Sequence, residues 1–201
     1  NKLWNASKFV LMNTADENLS QQPIQPSPNV IDRWILSKAS QLIEDCRLAL
    51  DTYRFDLCAN AIYEFVWHEY CDWYLELSKS VLWNDDLSDQ HKTATRRTLL
   101  EVLELLLRIS HPIMPFITET LWLQVAPRLG IGGDSVMLQS YPEQTQLTRD
   151  DGAQQQIEWL KSLITALRNI RGEASIKPSL GIPLLLQDGN EQDHAQAANA
   201  A

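Results

Sequence analysis

From Leu99 to Ile109 every residue is apolar except Glu101, Glu104 and Arg108, and this run limits the fold more than any other feature of the chain. It is too long for an ordinary strand and is read as helix. Wound that way it is apolar on nearly every side, which is stable in water only if other elements surround it. It also falls well short of the roughly 20 apolar residues that a membrane span needs. The run is therefore expected to be the most buried element of a helical bundle, and the rest of the chain must supply the enclosing helices.

Those helices can be read from periodicity and punctuation. Ser88 supplies an N-cap upstream of the run, which should stop at His111-Pro112, because the residue before a proline resists the helical region. Pro115 opens another helix to about Val125, and Gly130, Gly132 and Gly133 break it. Upstream, Asn1 to Leu11 is already helical in pattern, with no methionine and no start signal, which reads as a piece cut from a longer protein. A polar stretch from Gln21 to Pro28 holds three prolines, and Ser27-Pro28 can cap and open a second helix reaching about Tyr53. Its stripe is Ile31, Ile35, Leu42, Cys46, Ala49 and Tyr53. A third helix, about Asp56 to Val81, sets Cys58, Ile62, Val66, Tyr70, Trp73 and Leu77 on one side and Glu64, His68, Asp72 and Glu76 on another.

Thr148, Asp150 and Asp151 begin a last helix reaching about Glu173. Two short apolar runs, Ser135 to Ser140 and Ile182 to Leu186, leave open a minor two-stranded β element near the C-terminus. The tail from Asn190 to Ala201 is polar and alanine-rich and reads as a frayed linker. No repeat of about 20 to 50 residues is present, which disfavours a solenoid. The expected fold is mostly α, a helical bundle over residues 1–178, with a short extended segment and linker over 179–201.

A chain of 201 residues, 44% of them apolar, can bury one sizeable core. Its net charge of -9 argues at first against nucleic acid. The acidity is concentrated, however: Glu44 to Asp86 carries ten acidic and three basic residues, whereas Asn1 to Ser40 carries three acidic and four basic. Cys46, Cys58 and Cys71 form no CxxC and read as reduced core thiols. His68-Glu69-Tyr70-Cys71-Asp72 lacks the second histidine of a zinc-hydrolase motif, so no metal site is expected. With no membrane span and no signal-peptide pattern, a cytoplasmic setting is the expectation.

Four blocks occur in order: NKLWNASKFV at residues 1–10, CDWYLELSK at 71–79, HPIMPFITETLW at 111–122 and RNIRGE at 168–173. Together they resemble the anticodon-binding domain of the valyl-tRNA synthetases, in class I of the aminoacyl-tRNA synthetases. The third block resembles the isoleucine and leucine enzymes as well, and the first two point to valine. The resemblance implies a helical bundle of the class I anticodon-binding type that binds the anticodon arm of valine tRNA and orients its acceptor end. The ATP-handling signatures HIGH and KMSKS are absent. Valine activation, with ATP and magnesium, is thus expected on other parts of the same polypeptide, along with an editing domain and a C-terminal coiled coil. These residues are expected to hold no cofactor and to be inactive alone.

For RNA contact the first helix stands out. Lys2, Asn5 and Phe9 fall at steps of three and four on one face, with Lys8 at its margin. A cation for phosphate, an amide for a base edge and a ring for stacking suit an unstacked loop. The resemblance places Lys2 and Phe9 where the family approaches the anticodon; Lys8 stands where relatives often carry arginine, so it keeps charge but loses bidentate bonding. Trp4 and Leu11 form a separate stripe, read as core. Arg96 and Arg97, with Lys92, and Arg168 with Arg171 are possible phosphate contacts, though each reads first as a solvated face or an internal ion pair. The aromatic cluster Phe65, Trp67, Tyr70, Trp73 and Tyr74 reads as packing behind an acidic rim. Two rivals remain: the same domain of an isoleucine enzyme, and a helical protein-interaction module without RNA.

Overall fold

The computed structural model describes residues 1–15, 19–21, 26–144, 147–177 and 179–200. Its helices are α1 (Lys2–Asn13), α2 (Val30–Asp51), α3 (Phe55–Glu64), α4 (Leu75–Leu82), α5 (Asp89–Ser110), α6 (Pro115–Val125), α7 (Asp151–Glu173) and α8 (Glu191–Ala200), with a π-helical segment, Phe65–Tyr74, joining α3 to α4. The chain divides into two compact units, Asn1–Asp150 and Asp151–Ala201. The fold is a mostly helical bundle, and among the described residues there is no strand.

In the first unit the apolar run becomes the buried half of α5, on which α1, α2, α3, α4 and α6 all pack. Leu99, Leu100, Leu103, Leu106, Leu107 and Ile109 are fully buried. Deleting one such leucine side chain typically costs about 2–5 kcal/mol, so this helix carries much of the unit's stability. One of the run's polar interruptions is buried as well. Glu104 accepts hydrogen bonds from Trp122 Nε1 at 2.9 Å and Arg108 Nε at 3.0 Å, so a carboxylate inside the bundle is matched by a cation one turn away and an indole from α6.

A second polar centre ties three helices together. Asp32, in the first turn of α2, is fully buried and accepts from Ser27 Oγ at 2.6 Å, Tyr74 OH at 2.7 Å, Thr95 Oγ1 at 2.8 Å and Asn29 Nδ2 at 3.1 Å. Burial pushes its carboxyl up from the ordinary aspartate range, and the four hydrogen bonds pull against that shift. Residues from the α2 entry, the π segment and α5 thereby converge on one acid.

The π segment changes which side chains face inward. Taken as one α-helix, 56–81 should bury Val66, Trp73 and Leu77 along with Cys58, Ile62 and Tyr70. Instead the buried set is Cys58 and Ile62, then Phe65, Tyr70, Tyr74 and Leu75, then Ser78 and Val81, whereas Val66, Trp73 and Leu77 are only half-buried. The five-residue step from Phe65 to Tyr70 is that of i→i+5 winding, which a 3.6-residue template does not anticipate.

Other boundaries differ for local reasons. The cap of α2 is Asn29, not Ser27; Ser27 Oγ accepts from the Asn29 backbone N–H at 3.2 Å and donates to Asp32. Residues 22–25 of the predicted loop lie outside the described residues. Tyr53 does not extend the α2 stripe: it is 81% exposed with φ 57, closing α2 in the left-handed conformation while Arg54 N–H bonds back to Ala49 O at 2.7 Å. The open question of a β element resolves against it. Val136–Leu138 is a single 3-10 turn, and 182–186 has no regular structure.

In the second unit the tail, expected to fray, is the helix α8 beside α7. A reciprocal cap starts it, because Asn190 Oδ1 accepts from Asp193 N–H at 2.9 Å and Asp193 Oδ2 from Asn190 N–H at 3.0 Å. Trp159 Nε1 of α7 donates to Asp193 Oδ1 at 2.9 Å. These bonds, the Asn190 N–H foremost, hold the Asp193 carboxyl below the ordinary aspartate value.

Candidate nucleic-acid interface

The inward stripe of α1 is Leu3, Ala6, Ser7 and Val10, at steps of three and four along one helix face. Trp4, read as core, is instead 38% exposed, and Leu11 is half-buried. The buried Ser7 satisfies its hydroxyl on Leu3 O at 2.8 Å. From the turn after α6, Arg128 donates to Leu11 O at 2.7 Å and Thr14 Oγ1 at 2.9 Å, occupying orphan acceptors at the C-terminal end of α1. This seating fixes which side chains of α1 stay outside.

Lys2, Asn5 and Phe9 then line one groove of about 200 Å³, opposite Cys71, Leu75, Glu76 and Lys79 from the π segment and α4. Lys2 Nζ lies 2.8 Å from Asp72 Oδ1 and 4.0 Å from the centre of the Trp67 ring. The Asp72 hydrogen bond raises the Lys2 ammonium above the ordinary lysine value, so it is cationic at neutral pH. Trp67 is stacked with Tyr63 at 5.5 Å. Lys8, exposed, reaches within 5.9 Å of the Trp4 ring centre, away from the groove lining.

On the facing wall Lys79 Nζ is held by both Glu76 carboxylate oxygens at 2.8 Å. It also stands 5.7 Å from the Phe9 ring centre and 5.9 Å from that of Trp83. Three lysines around α1 are thus each laid near an aromatic ring, a geometry that gains from cation–π attraction at about 6 Å or less. Positive charge beside flat apolar rings is what single-stranded nucleic acid requires of a surface.

The remaining candidates lie on other elements. Arg97 donates to Glu101 at 2.7 Å and to Leu19 O at 3.1 Å, which ties it to the bundle; Arg96 is half-buried on the same helix. Arg168 is exposed on α7, whereas Arg171 donates to Leu180 O at 2.7 Å and closes the turn that follows α7. Arg33 pairs with Asp150 at 2.9 Å, and Trp34 is fully buried. At the His111-Pro112 junction the ring Nδ1 lies within hydrogen-bond distance of Thr118 Oγ1, at 2.8 Å.

Cys46 and Cys58 are buried, Cys71 is half-buried, and all three are free thiols. Burial pushes the Cys71 thiol up to about 11, which keeps it protonated. Among the described residues no three His, Cys, Asp or Glu side chains are grouped as a metal would need, and no helix is long and apolar enough to cross a membrane.

Trp67 comes beside Lys2, and Lys79, itself near Trp83, beside Phe9, only in the folded chain. Of the aromatic cluster expected to pack, only Phe65, Tyr70 and Tyr74 are buried. Lys79 lies in the second resemblance block, but nothing in α-helical spacing brings it to Phe9.

Residues 32–186, well over half of the chain, match the family described as the anticodon-binding domain of tRNA ligase. The chain belongs to that family. Most of this anticodon-binding domain's helices, including the α4 wall of the groove, fall inside the matched stretch, and α1 precedes it. A tRNA ligase is therefore the setting of this bundle, and a tRNA its partner class.

Proposed function

We propose that the α1 groove of this domain takes the anticodon loop of valine tRNA and so positions that tRNA for aminoacylation by a valine–tRNA ligase. The observation that carries the reading is the convergence of Lys2, Asn5 and Phe9 with Lys79 on one groove. Phosphate meets the lysines, a base edge meets the Asn5 amide, and an unstacked base meets the Phe9 ring. Arg96 and Arg168 supply secondary backbone contacts, and Lys8 supplies charge at the margin. Arg97 and Arg171 are further phosphate contacts that also hold bonds within the fold.

Support for valine comes from the two blocks at residues 1–10 and 71–79, which form the two walls of the groove. By the family resemblance, ATP and magnesium would act on catalytic parts of the same polypeptide, beside the editing and coiled-coil parts, in the cytoplasm. The chain alone would bind and not catalyse.

The test compares affinity for RNA hairpins carrying the valine and isoleucine anticodon arms at low salt. Lys2→Ala with Phe9→Ala should weaken the valine hairpin by about tenfold or more, with little change in melting temperature. Equal affinity for both hairpins would remove the valine assignment. A melting temperature far below that of the parent chain would show the pair to be structural.

A further inference from the structure

The aromatic contacts of Lys79 extend beyond Phe9 to the C-terminal end of α4. Trp83 follows the last residue of α4, and its backbone N–H is fixed by Lys79 O at 3.0 Å, while Val81 and Leu82 turn into the core. The indole is left 65% exposed on a backbone that cannot swing away. Lys79 Nζ is within 6 Å of the centre of this ring and of that of Phe9. In the free chain its ammonium rests on Glu76, an ion pair with side chains 29% and 56% exposed. Such solvated pairs are worth little and exchange readily for another anion.

We propose that Trp83 is a second stacking platform, for the nucleotide next to the one taken by Phe9, and that Lys79 leaves Glu76 to meet the phosphate between them. The proposal rests on the RNA-binding reading above and adds a residue beyond the first helix. One cation within reach of two rings suits the base, phosphate and base of an unstacked strand. Single exposed tryptophans also occur on surfaces without a ligand; the shared lysine is what sets Trp83 apart. Glu76 acts against the site, as a competitor for Lys79 and as a like charge beside the phosphate, so its removal should strengthen binding.

The experiment titrates the 201-residue chain into valine anticodon hairpins carrying 2-aminopurine at single loop positions, whose fluorescence reports stacking. Trp83→Ala should lose the signal at one position next to the Phe9-dependent one and weaken binding about 5- to 10-fold. Trp83→Phe should keep most of both, and Glu76→Gln should tighten binding about two- to fivefold. Should Trp83→Ala bind and stack as the parent does while Phe9→Ala is weakened, the second platform is wrong and the RNA-binding reading stands. Should the parent chain fail to bind the hairpin at low salt, both fall. If Trp83→Ala does not fold, Glu76→Gln decides: affinity no higher than the parent's overturns the role given to Lys79.

Discussion

Asp32 and Lys79 are both charged residues with several neighbours, yet they stand in opposite regimes. Asp32 is sealed in the bundle with four neutral donors aimed at it, and no water can replace them. Lys79 is at the surface, with a carboxylate and two rings beside it, and water competes for every contact. A buried polar group is costly to disturb because its partners are left unsatisfied, whereas an exposed pair is nearly free to rearrange. The difference separates the charges that hold this domain together from those it can offer to RNA.

The interior side breaks first. Asp32→Ala removes the acceptor of Ser27, Tyr74 and Thr95, while Asn29 keeps His91 O and Thr95 Oγ1, and should cost on the order of 3 kcal/mol in urea unfolding; a loss below about 1 kcal/mol would mean that those donors find other partners. On the exterior side, three phosphate contacts by Lys2, Lys8 and Lys79 imply that raising salt from about 50 to 200 mM weakens hairpin binding roughly 15-fold. A flat salt dependence would move the RNA off this face.

A pH measurement sharpens the contrast. Folding raises the Asp32 pKa, so the folded chain holds that proton more tightly than the unfolded one. The resulting stability is fully present below the unfolded value of about 3.9 and is lost as pH rises through the folded value. The melting temperature of the parent, compared with that of Asp32→Asn, should therefore fall as pH rises through the acid range, and parallel curves would show no titration there.

Smaller still is the stability effect of Lys2→Ala, which removes a partly exposed pair with Asp72 and should shift unfolding by less than about 1 kcal/mol. The least effect is expected from Asp45→Lys in the larger groove, about 800 Å³, between α2 and the helix that follows it. Its lining sets Asp45, Glu64 and Glu69 against Lys38 and Arg54, and screening beyond about 8 Å should limit any gain in RNA affinity to under threefold. The larger cavity is thus the poorer candidate, since its carboxylates outnumber its lysine and arginine.

Much of the bundle was legible because α-helical periodicity and punctuation are local signals. Pro115 to Val125 and the buried half of α5 fall where the apolar pattern and prolines put them. Asn190 and Asp193 also carried a readable cap signal, overlooked because alanine-rich polar tails commonly fray. The π segment was not legible, since its spacing imitates an amphipathic α-helix for the first few residues and departs only later. For the candidate site, Lys2, Asn5 and Phe9 could be grouped from helix geometry within one element. Lys79 and Trp83 could not, because only tertiary packing brings α4 beside α1.

The π winding between Phe65 and Tyr74 also makes chain length a determinant of the groove. An extra residue accommodated inside a helix turns everything after it relative to everything before it. Asp72 and Lys79 face Lys2 and Phe9 only with this many residues between α3 and α4. A one-residue deletion there, leaving every contact side chain in place, would rotate α4 and separate the two walls. Homologous chains with a shorter segment at this point would therefore need a different loop-binding face, even with NKLWNASKF and CDWYLELSK intact.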